Sequence, residues 1–131
     1  MNYSASKSFA ELTMYRKSMS LFQLARKIAD YISDQKSVLE MHASEKAIDK
    51  YADALVMYTM QLPTQIAAIE SESKGTQKVR NYKRLYNFEE RIKKTCNLLI
   101  ETKIAGHEFV VLLRDELLQF QKLSRNYIKP I

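Results

Sequence analysis

Residues that turn a chain are scarce in this sequence, which has two glycines and two prolines among 131 residues. β-Hairpins and alternating strand and helix units need glycine, proline or similar turn residues at most of their connections. The composition therefore favours long helices joined by few connections. Its length suits one ordinary domain with a single core, so we expect one all-α domain over residues 1–131.

The spacing of apolar residues predicts where these helices lie. From Phe9 to Ile32, apolar residues recur at steps of three and four positions, which is the period of one helix face. Ser and Asp interrupt that period between residues 33 and 44, which we interpret as a connection. Four helices with short or moderate connections predict an antiparallel up-down four-helix bundle. The predicted helices span residues 9–32, 45–71, 76–103 and 107–127, and the last is expected to pack through Phe109, Leu113, Leu117, Phe120 and Leu123.

The second predicted helix is the most apolar one. Residues 54–69 are all uncharged, so this helix is either central to the core or covered on a second face by another subunit. Its start is open between Ser37, which begins a capping-box pattern, and Ser44. We expect Pro63 to kink the helix or loosen one turn, and Gly75 to form the chain reversal that follows it.

Positive charge is concentrated in one segment of the chain. Eight of the 21 Lys and Arg residues lie between Lys74 and Lys94, together with only two of the 15 acidic residues. Positive and negative residues balance elsewhere, so this segment carries the whole net charge of +6. A helical wheel places five basic residues on one face, with Asn87 among them. This basic stripe consists of Arg80, Lys83, Arg84, Arg91 and Lys94.

The opposite face of the same helix is apolar, which makes the helix amphipathic. Its basic stripe is either a binding surface for a polyanion or a solvated helix face. Solvated faces normally mix both signs at four-residue spacing. Glu89 and Glu90 fall away from the centre of the stripe, which favours binding. Asn81, Tyr82 and Tyr86 can add hydrogen bonds or stacking only if they are exposed, and we expect both tyrosines in the core. The apolar face consists of Tyr82, Leu85, Phe88, Ile92, Cys96 and Leu99.

Residue patterns typical of catalysis or metal binding are missing from the sequence. There is no Gly-rich phosphate loop, and no pair of carboxylates lies in an apolar stretch where its pKa would be tuned. Cys96 lies on an apolar face, where a packed thiol is inert. His42 and His107 leave too few ligands for a zinc site. We therefore expect no enzymatic activity, no metal and no cofactor.

Targeting features are missing in the same way. The first residues contain no apolar segment of the kind that a secretory signal requires, and no uncharged run reaches the ~20 residues that span a bilayer. The single cysteine cannot form an intramolecular disulfide, which fits a reducing compartment. We expect a cytoplasmic protein that has no membrane partner.

Three stretches resemble the S23-type four-helix-bundle family, which is encoded by intervening sequences in bacterial 23S ribosomal RNA genes. Residues 9–19, FAELTMYRKSM, are similar to the family's Phe-x-Glu-Leu-x-x-Trp-x-Lys-Ala opening, with Tyr15 at the tryptophan. Residues 62–67, LPTQIA, look like its Ile-Pro-x-Asn-Ile-Ala, and the proline inside a helix is the most specific element. Residues 86–103 match the family in periodicity and in the turn that follows at Gly106. The resemblance covers most of the chain.

The resemblance implies a ring-like homo-oligomer and brings no catalytic residues with it. The wider superfamily also includes the accessory variability determinant proteins of diversity-generating retroelements. Those proteins form ring-like pentamers, are basic, and act as partners of a reverse transcriptase and its RNA. Membership would therefore imply a pentamer that has RNA or DNA as a partner.

Two functions remain open from the sequence. In the first, an oligomer repeats the basic stripe and binds RNA or another nucleic acid with useful avidity. In the second, the protein is a structural or protein-interaction scaffold without a role in nucleic-acid binding, and its basic face meets an acidic protein or remains in water. The charge concentration and the resemblance both favour the first.

Overall fold

The computed structural model describes residues 2–34, 38–43, 45–71, 75–102 and 104–127. These ranges are all-helical in character and contain no strand, which confirms the predicted class. Short turns link the helices where the connections are described. The helices are α1 (Asn2–Ile32), α2 (Val38–Ala43), α3 (Ala47–Ser71), α4 (Gly75–Glu101) and α5 (His107–Tyr127).

The short helix α2 corrects the interpretation of residues 33–44 as a connection. Six residues are too few to show a helical period, so the apolar spacing of the sequence does not predict α2, although a capping-box pattern precedes it. Its formation depends on tertiary packing, because Met41 is buried in a small cluster with Ala29, Ala52 and Val56. The two serines proposed as starts of the second predicted helix lie outside the described residues.

The ends of the long helices lie within two residues of the predicted bounds, except for the start of α1. Helix α5 has the predicted bounds, and α1 and α3 end where expected. However, α1 begins at Asn2 rather than Phe9, because a helix can extend through polar residues that show no apolar period. Gly75 is the first residue of α4 rather than a reversal, and the three residues before it lie outside the described ranges.

Local capping explains two of the helix ends. After α1, Asp34 adopts a left-handed backbone conformation with φ of 59°, the geometry that commonly follows a helix C-terminus. Before α5, Gly106 has φ of 84°, which glycine adopts without steric cost. The backbone N–H of His107 donates to the carbonyl of Ile104, and that of Phe109 donates to the carbonyl of Gly106. These bonds satisfy donors at the start of α5.

The four long helices surround one apolar core. Helix α3 packs against both α1 and α4, and α5 packs against α4 and returns to α1. Helix α2 packs on α3 from outside this ring. The core cluster contains side chains from every long helix, among them Leu21, Ala25, Leu55, Leu62, Ile66, Leu85, Ile92, Leu99, Leu113, Leu117 and Phe120.

Helix α3 is apolar on more sides than the chain itself covers. It contacts three other helices within the chain, which accounts for its buried residues, but Met57 and Met60 are exposed on it. That another subunit covers this second face stays a prediction. Helix α3 runs as one helix through Pro63, which is buried. The side-chain hydroxyl of Thr59 donates to the carbonyl of Leu55 at 2.6 Å, one turn before the proline removes a backbone donor.

The apolar face of α5 differs from the predicted one at both ends. Leu113, Leu117 and Phe120 are buried as expected. Phe109 and Leu123 are exposed, and the residues buried near them are Val110, Gln121 and Ser124. The polar residues of this face are buried because α4 offers them a hydrogen-bonding partner, which a helical wheel of α5 alone cannot reveal.

Candidate nucleic-acid interface

Helix α4 displays the basic stripe on its outer side. The side chains of Arg80, Lys83, Arg84, Arg91 and Lys94 are all exposed, as is that of Asn87 between them. Leu85, Ile92, Cys96 and Leu99 are completely buried on the opposite face. At 1.5 Å per residue, the stripe extends over ~21 Å of the helix axis. The helix therefore offers a continuous line of cationic groups rather than one isolated cluster.

The positive groups of the stripe are not neutralised by neighbouring carboxylates. Within the part of the chain that the structure describes, none of the five forms an ion pair. The ion pair on this helix joins Lys93 to Glu90 at 2.9 Å, to one side of the stripe. The stripe differs in this respect from a balanced solvated face, where charges of both signs pair along the helix.

One member of the stripe is held by an aromatic ring. The guanidinium of Arg91 lies 5.6 Å from the ring centre of Tyr58 on α3. That ring in turn lies 6.2 Å from the ring of Phe88. A cation over an aromatic face is attracted by the ring quadrupole, so this contact restrains Arg91 on the side of the stripe that borders α3.

The tyrosines beside the stripe have different environments. Tyr82 is half-buried against the core cluster, and burial, followed by the Glu70 carboxylate, raises its pKa. Tyr86 is 47% exposed, so the expectation that it belongs to the core is wrong. Asn81 is half-buried. Tyr86 is therefore exposed enough to stack on a base, whereas Tyr82 and Asn81 are only partly accessible.

Behind the stripe, the structure buries a carboxyl group that the sequence reasoning missed. Glu89 is only 2% exposed, and it lies between α4 and α5. Ser124 donates to its Oε2 atom at 2.9 Å, and the Nε2 atom of Gln121 lies 3.5 Å from its Oε1 atom. Gln121 makes a shorter bond of 2.8 Å to Glu90. Glu89 is thus a single buried carboxyl group, because the adjacent Glu90 is partly exposed and paired with Lys93.

Burial controls the protonation of Glu89. Loss of solvent raises its pKa to about 7, although its two hydrogen bonds and Arg125 act in the opposite direction. The pKa of the adjacent Glu90 is lowered, first by its bond from Gln121 and then by Lys93. A signal for this site was present in the sequence, since Glu89 lies four residues after Leu85 and seven before Cys96. That spacing places it in the middle of the apolar face.

The remaining candidates for chemistry lie apart from one another. Cys96 is fully buried, and burial raises the pKa of its thiol to about 12, so the thiol stays protonated at neutral pH. His107 is exposed, with its Nδ1 atom 3.5 Å from Glu108. The side chain of His42 lies outside the described residues. Across the described ranges, no three His, Cys, Asp or Glu residues are grouped so as to hold a metal ion.

The surface also carries a groove that lies away from the basic stripe. It has a volume of about 300 Å³ and lies between α1 and α5, on the far side of the bundle from α3 and α4. Leu24, Leu112 and Phe120 provide its apolar lining, and Lys17 and Glu116 provide charged groups.

In the parts of the chain that the structure describes, no helix combines the length and the apolar character that crossing a bilayer requires.

Comparisons of the chain with protein-family models, with curated proteins and with solved structures find no match. The resemblance to the S23-type family therefore stays a hypothesis that rests on the three stretches of sequence.

Proposed function

We propose that this protein is a non-enzymatic, cytoplasmic nucleic-acid-binding protein that acts as a homo-oligomer, and that the basic stripe of α4 is its contact surface. One observation carries this proposal. Five exposed basic side chains follow one face of α4 and form no ion pair with any residue that the structure describes, in a chain whose remaining charges balance.

Phosphates are the partner that such a stripe suits best. Lys and Arg neutralise phosphates and release condensed counterions, whatever the base sequence. Arg also presents a planar fork of donors that matches the oxygens of a phosphate. The ~21 Å length of the stripe spans several nucleotides of an extended strand. Contact with one chain is weak and sensitive to salt, so useful affinity depends on repetition.

An oligomer supplies that repetition. The resemblance to the S23-type family, and through it to ring-forming accessory variability determinant proteins, supports a ring-like pentamer. Five linked stripes raise the effective concentration of each contact after the first one forms. Five copies of the 15.3 kDa chain amount to about 77 kDa, which native mass spectrometry or light scattering distinguishes from a monomer or dimer.

The same proposal includes an antiparallel up-down arrangement of the four long helices. Its support is that helices adjacent around the core are connected in chain order, apart from the small helix α2. The connections after α3 and after α4 span only a few residues, which favours antiparallel neighbours. In this arrangement α4 has core on one side and its basic stripe on the other.

Binding across a salt series tests the proposed function. The probes are a labelled single-stranded RNA and a structured RNA. For ~4 phosphates engaged on a single strand, the logarithm of affinity falls with the logarithm of salt concentration at a slope near −3. The test variant carries Arg80→Glu, Arg84→Glu and Arg91→Glu, and it should lose this binding while its oligomeric mass is unchanged.

A matched control separates the stripe from net charge. Arg16, Lys27 and Lys50 are exposed on α1 and α3, and the triple change Arg16→Glu, Lys27→Glu and Lys50→Glu alters net charge by the same amount. We expect the control to retain most of the affinity. An equal loss of affinity in both variants would mean that binding depends on net charge and not on the stripe. Weak, salt-independent binding by the wild type would refute the proposal.

The alternative function, a protein-interaction scaffold, is favoured by one feature of α5. Phe109, Leu112, Leu118 and Leu123 are all exposed on this helix, and Leu112 also lines the groove toward α1. A protein interface there would depend on apolar contacts more than on salt. Leu112→Asp would abolish such an interaction and leave nucleic-acid binding unchanged, whereas the stripe variant would have the opposite effects.

A further inference from the structure

Tyr86 is an exposed aromatic residue at the edge of the basic stripe. It lies on α4 three residues after Lys83 and directly before Asn87. Residues three positions apart on a helix are surface neighbours, with about 5–6 Å between their Cβ atoms. The ring of Tyr86 is therefore within one nucleotide's reach of a cationic group that belongs to the proposed phosphate path.

The ring of Tyr86 differs from the other rings near the stripe because it is partly exposed and, among the described residues, no other ring or cation packs on it. Tyr58 has the Arg91 guanidinium over its face and Phe88 beside it. Tyr82 packs against the core cluster. Within the described ranges, Tyr86 forms no ring contact and lies under no cation, and its exposure is 47%.

A partly exposed carboxylate on the same helix as Tyr86 is already engaged by other side chains. Glu90 lies one turn after Tyr86 and accepts a hydrogen bond from Gln121 at 2.8 Å. Its Oε2 atom also pairs with Lys93 at 2.9 Å. These partners compensate its charge locally, so an approaching phosphate meets the net positive field of Lys83 and the stripe rather than an unpaired anion.

We propose that the stripe and Tyr86 together form a site for unpaired nucleotides, in which the phosphates follow the basic stripe and one base stacks on the ring of Tyr86. This inference rests on the proposed function and adds a substrate class to it. Phosphate contacts alone do not distinguish single strands from duplexes. Stacking does, because the base faces of a duplex are already stacked on one another and cannot reach a protein ring without being unstacked.

Three probes of equal length test this inference: a single-stranded oligonucleotide, an abasic strand with the same phosphates but no bases, and a duplex. Fluorescence anisotropy at one fixed low salt concentration gives the affinities. Wild type should bind the single strand more tightly than the abasic strand. Base stacking on an aromatic residue contributes ~1–3 kcal/mol by alanine substitution, so Tyr86→Ala should weaken single-strand binding by roughly five-fold or more.

Matched variants isolate the ring as the cause. Tyr86→Phe keeps the aromatic face and should bind as wild type does. Tyr15→Ala removes another exposed tyrosine, on α1, a helix that does not pack against α4, and it should have no effect. Tyr86→Ala should not change binding to the abasic strand. Running oligo-U beside oligo-dT identifies whether RNA or DNA is the better source of the unpaired bases.

The outcomes separate this inference from the proposed function. If wild type binds the abasic strand or the duplex as tightly as the single strand, or if Tyr86→Ala binds unchanged, the stacking site is refuted. The proposed function survives that result provided that the Glu-substituted stripe variant still loses binding. If wild type binds none of the probes in a salt-dependent manner, both are refuted.

Discussion

The buried carboxyl group of Glu89 contributes a pH dependence of stability whose direction is unusual for a carboxyl group. Most carboxylates in folded proteins gain partners that lower their pKa, but burial raises the pKa of Glu89 from 4.5 to about 7. The folded chain therefore keeps this proton up to about pH 7, whereas the unfolded chain releases it near pH 4.5. Between these values the folded state binds more protons, so the free energy of unfolding falls as pH rises.

The size of the effect follows from the two pKa values. Each tenfold change in proton affinity corresponds to about 1.4 kcal/mol, so ionisation of Glu89 costs the folded state about 3 kcal/mol. This cost is absent below about pH 4.5, grows through pH 7, and is constant above it. The neighbouring groups are Glu90 and Lys93 on α4 and Gln121, Ser124 and Arg125 on α5.

The substitution Glu89→Gln removes the charge while keeping an oxygen that accepts the Ser124 hydrogen bond. We expect the variant to match wild type near pH 4.5 and to exceed its stability by about 3 kcal/mol at pH 8.5. For a chain of this length that is a rise in Tm of roughly 10 °C. Thermal and urea unfolding followed by circular dichroism at several pH values measure it.

Comparing the two proteins at each pH removes the contributions of shared groups that do not interact with Glu89. Glu101→Gln, an exposed change at the end of α4, serves as the control and should change the free energy of unfolding much less than Glu89→Gln does at pH 8.5. If the difference between Glu89→Gln and wild type stayed constant from pH 5 to 8.5, the reasoning from burial of this carboxyl group would be refuted.

Three other predictions test the fold. Gly106→Ala should lower the free energy of unfolding by more than about 1 kcal/mol, because φ is 84° and a new Cβ atom would lie 2.6 Å from the ring of Tyr31; unchanged chemical denaturation would contradict this. Leu117→Ala should lower the free energy of unfolding by about 2–5 kcal/mol, since that side chain is fully buried. Leu123→Ala, at an exposed position on the same helix, should lower it much less. Equal losses of stability would support the buried face predicted from the sequence. Cys96 should react with a thiol reagent at pH 8 only as fast as the protein unfolds, given its burial and a pKa of about 12; rapid labelling of folded protein would disprove the packing assigned to α4.

The sequence alone was sufficient to predict features that repeat over several turns of a helix. The scarcity of glycine and proline and the apolar period predicted the all-helical class, and Gly106 marked the start of α5 correctly. The exposure of the basic stripe also followed from the period of α4 alone. Such features depend on residues that are close in sequence, where three- and four-residue spacing determines which side chains share a face.

Features that depend on a partner elsewhere in the chain were missed. Helix α2 forms because Met41 fits against α1 and α3. The burial of Glu89 is compatible with folding because α5 supplies Ser124 and Gln121, more than thirty residues away. Tyr86 was assigned to the core from its residue type, but the packing of α4 leaves it at the edge. Propensity and period do not contain these tertiary relations.

The attachment of α2 has a consequence for how the molecule opens. Each long helix is held between two others, but α2 has only six residues and packs mainly on α3. Releasing it breaks few contacts and leaves the four-helix core intact, so its amide hydrogens should exchange with solvent by a local opening far below the energy of global unfolding. Proteolytic cleavage in the native state should begin there. Each such opening would uncover Ala52 and Val56 on α3, an apolar strip that the folded chain keeps covered with Met41.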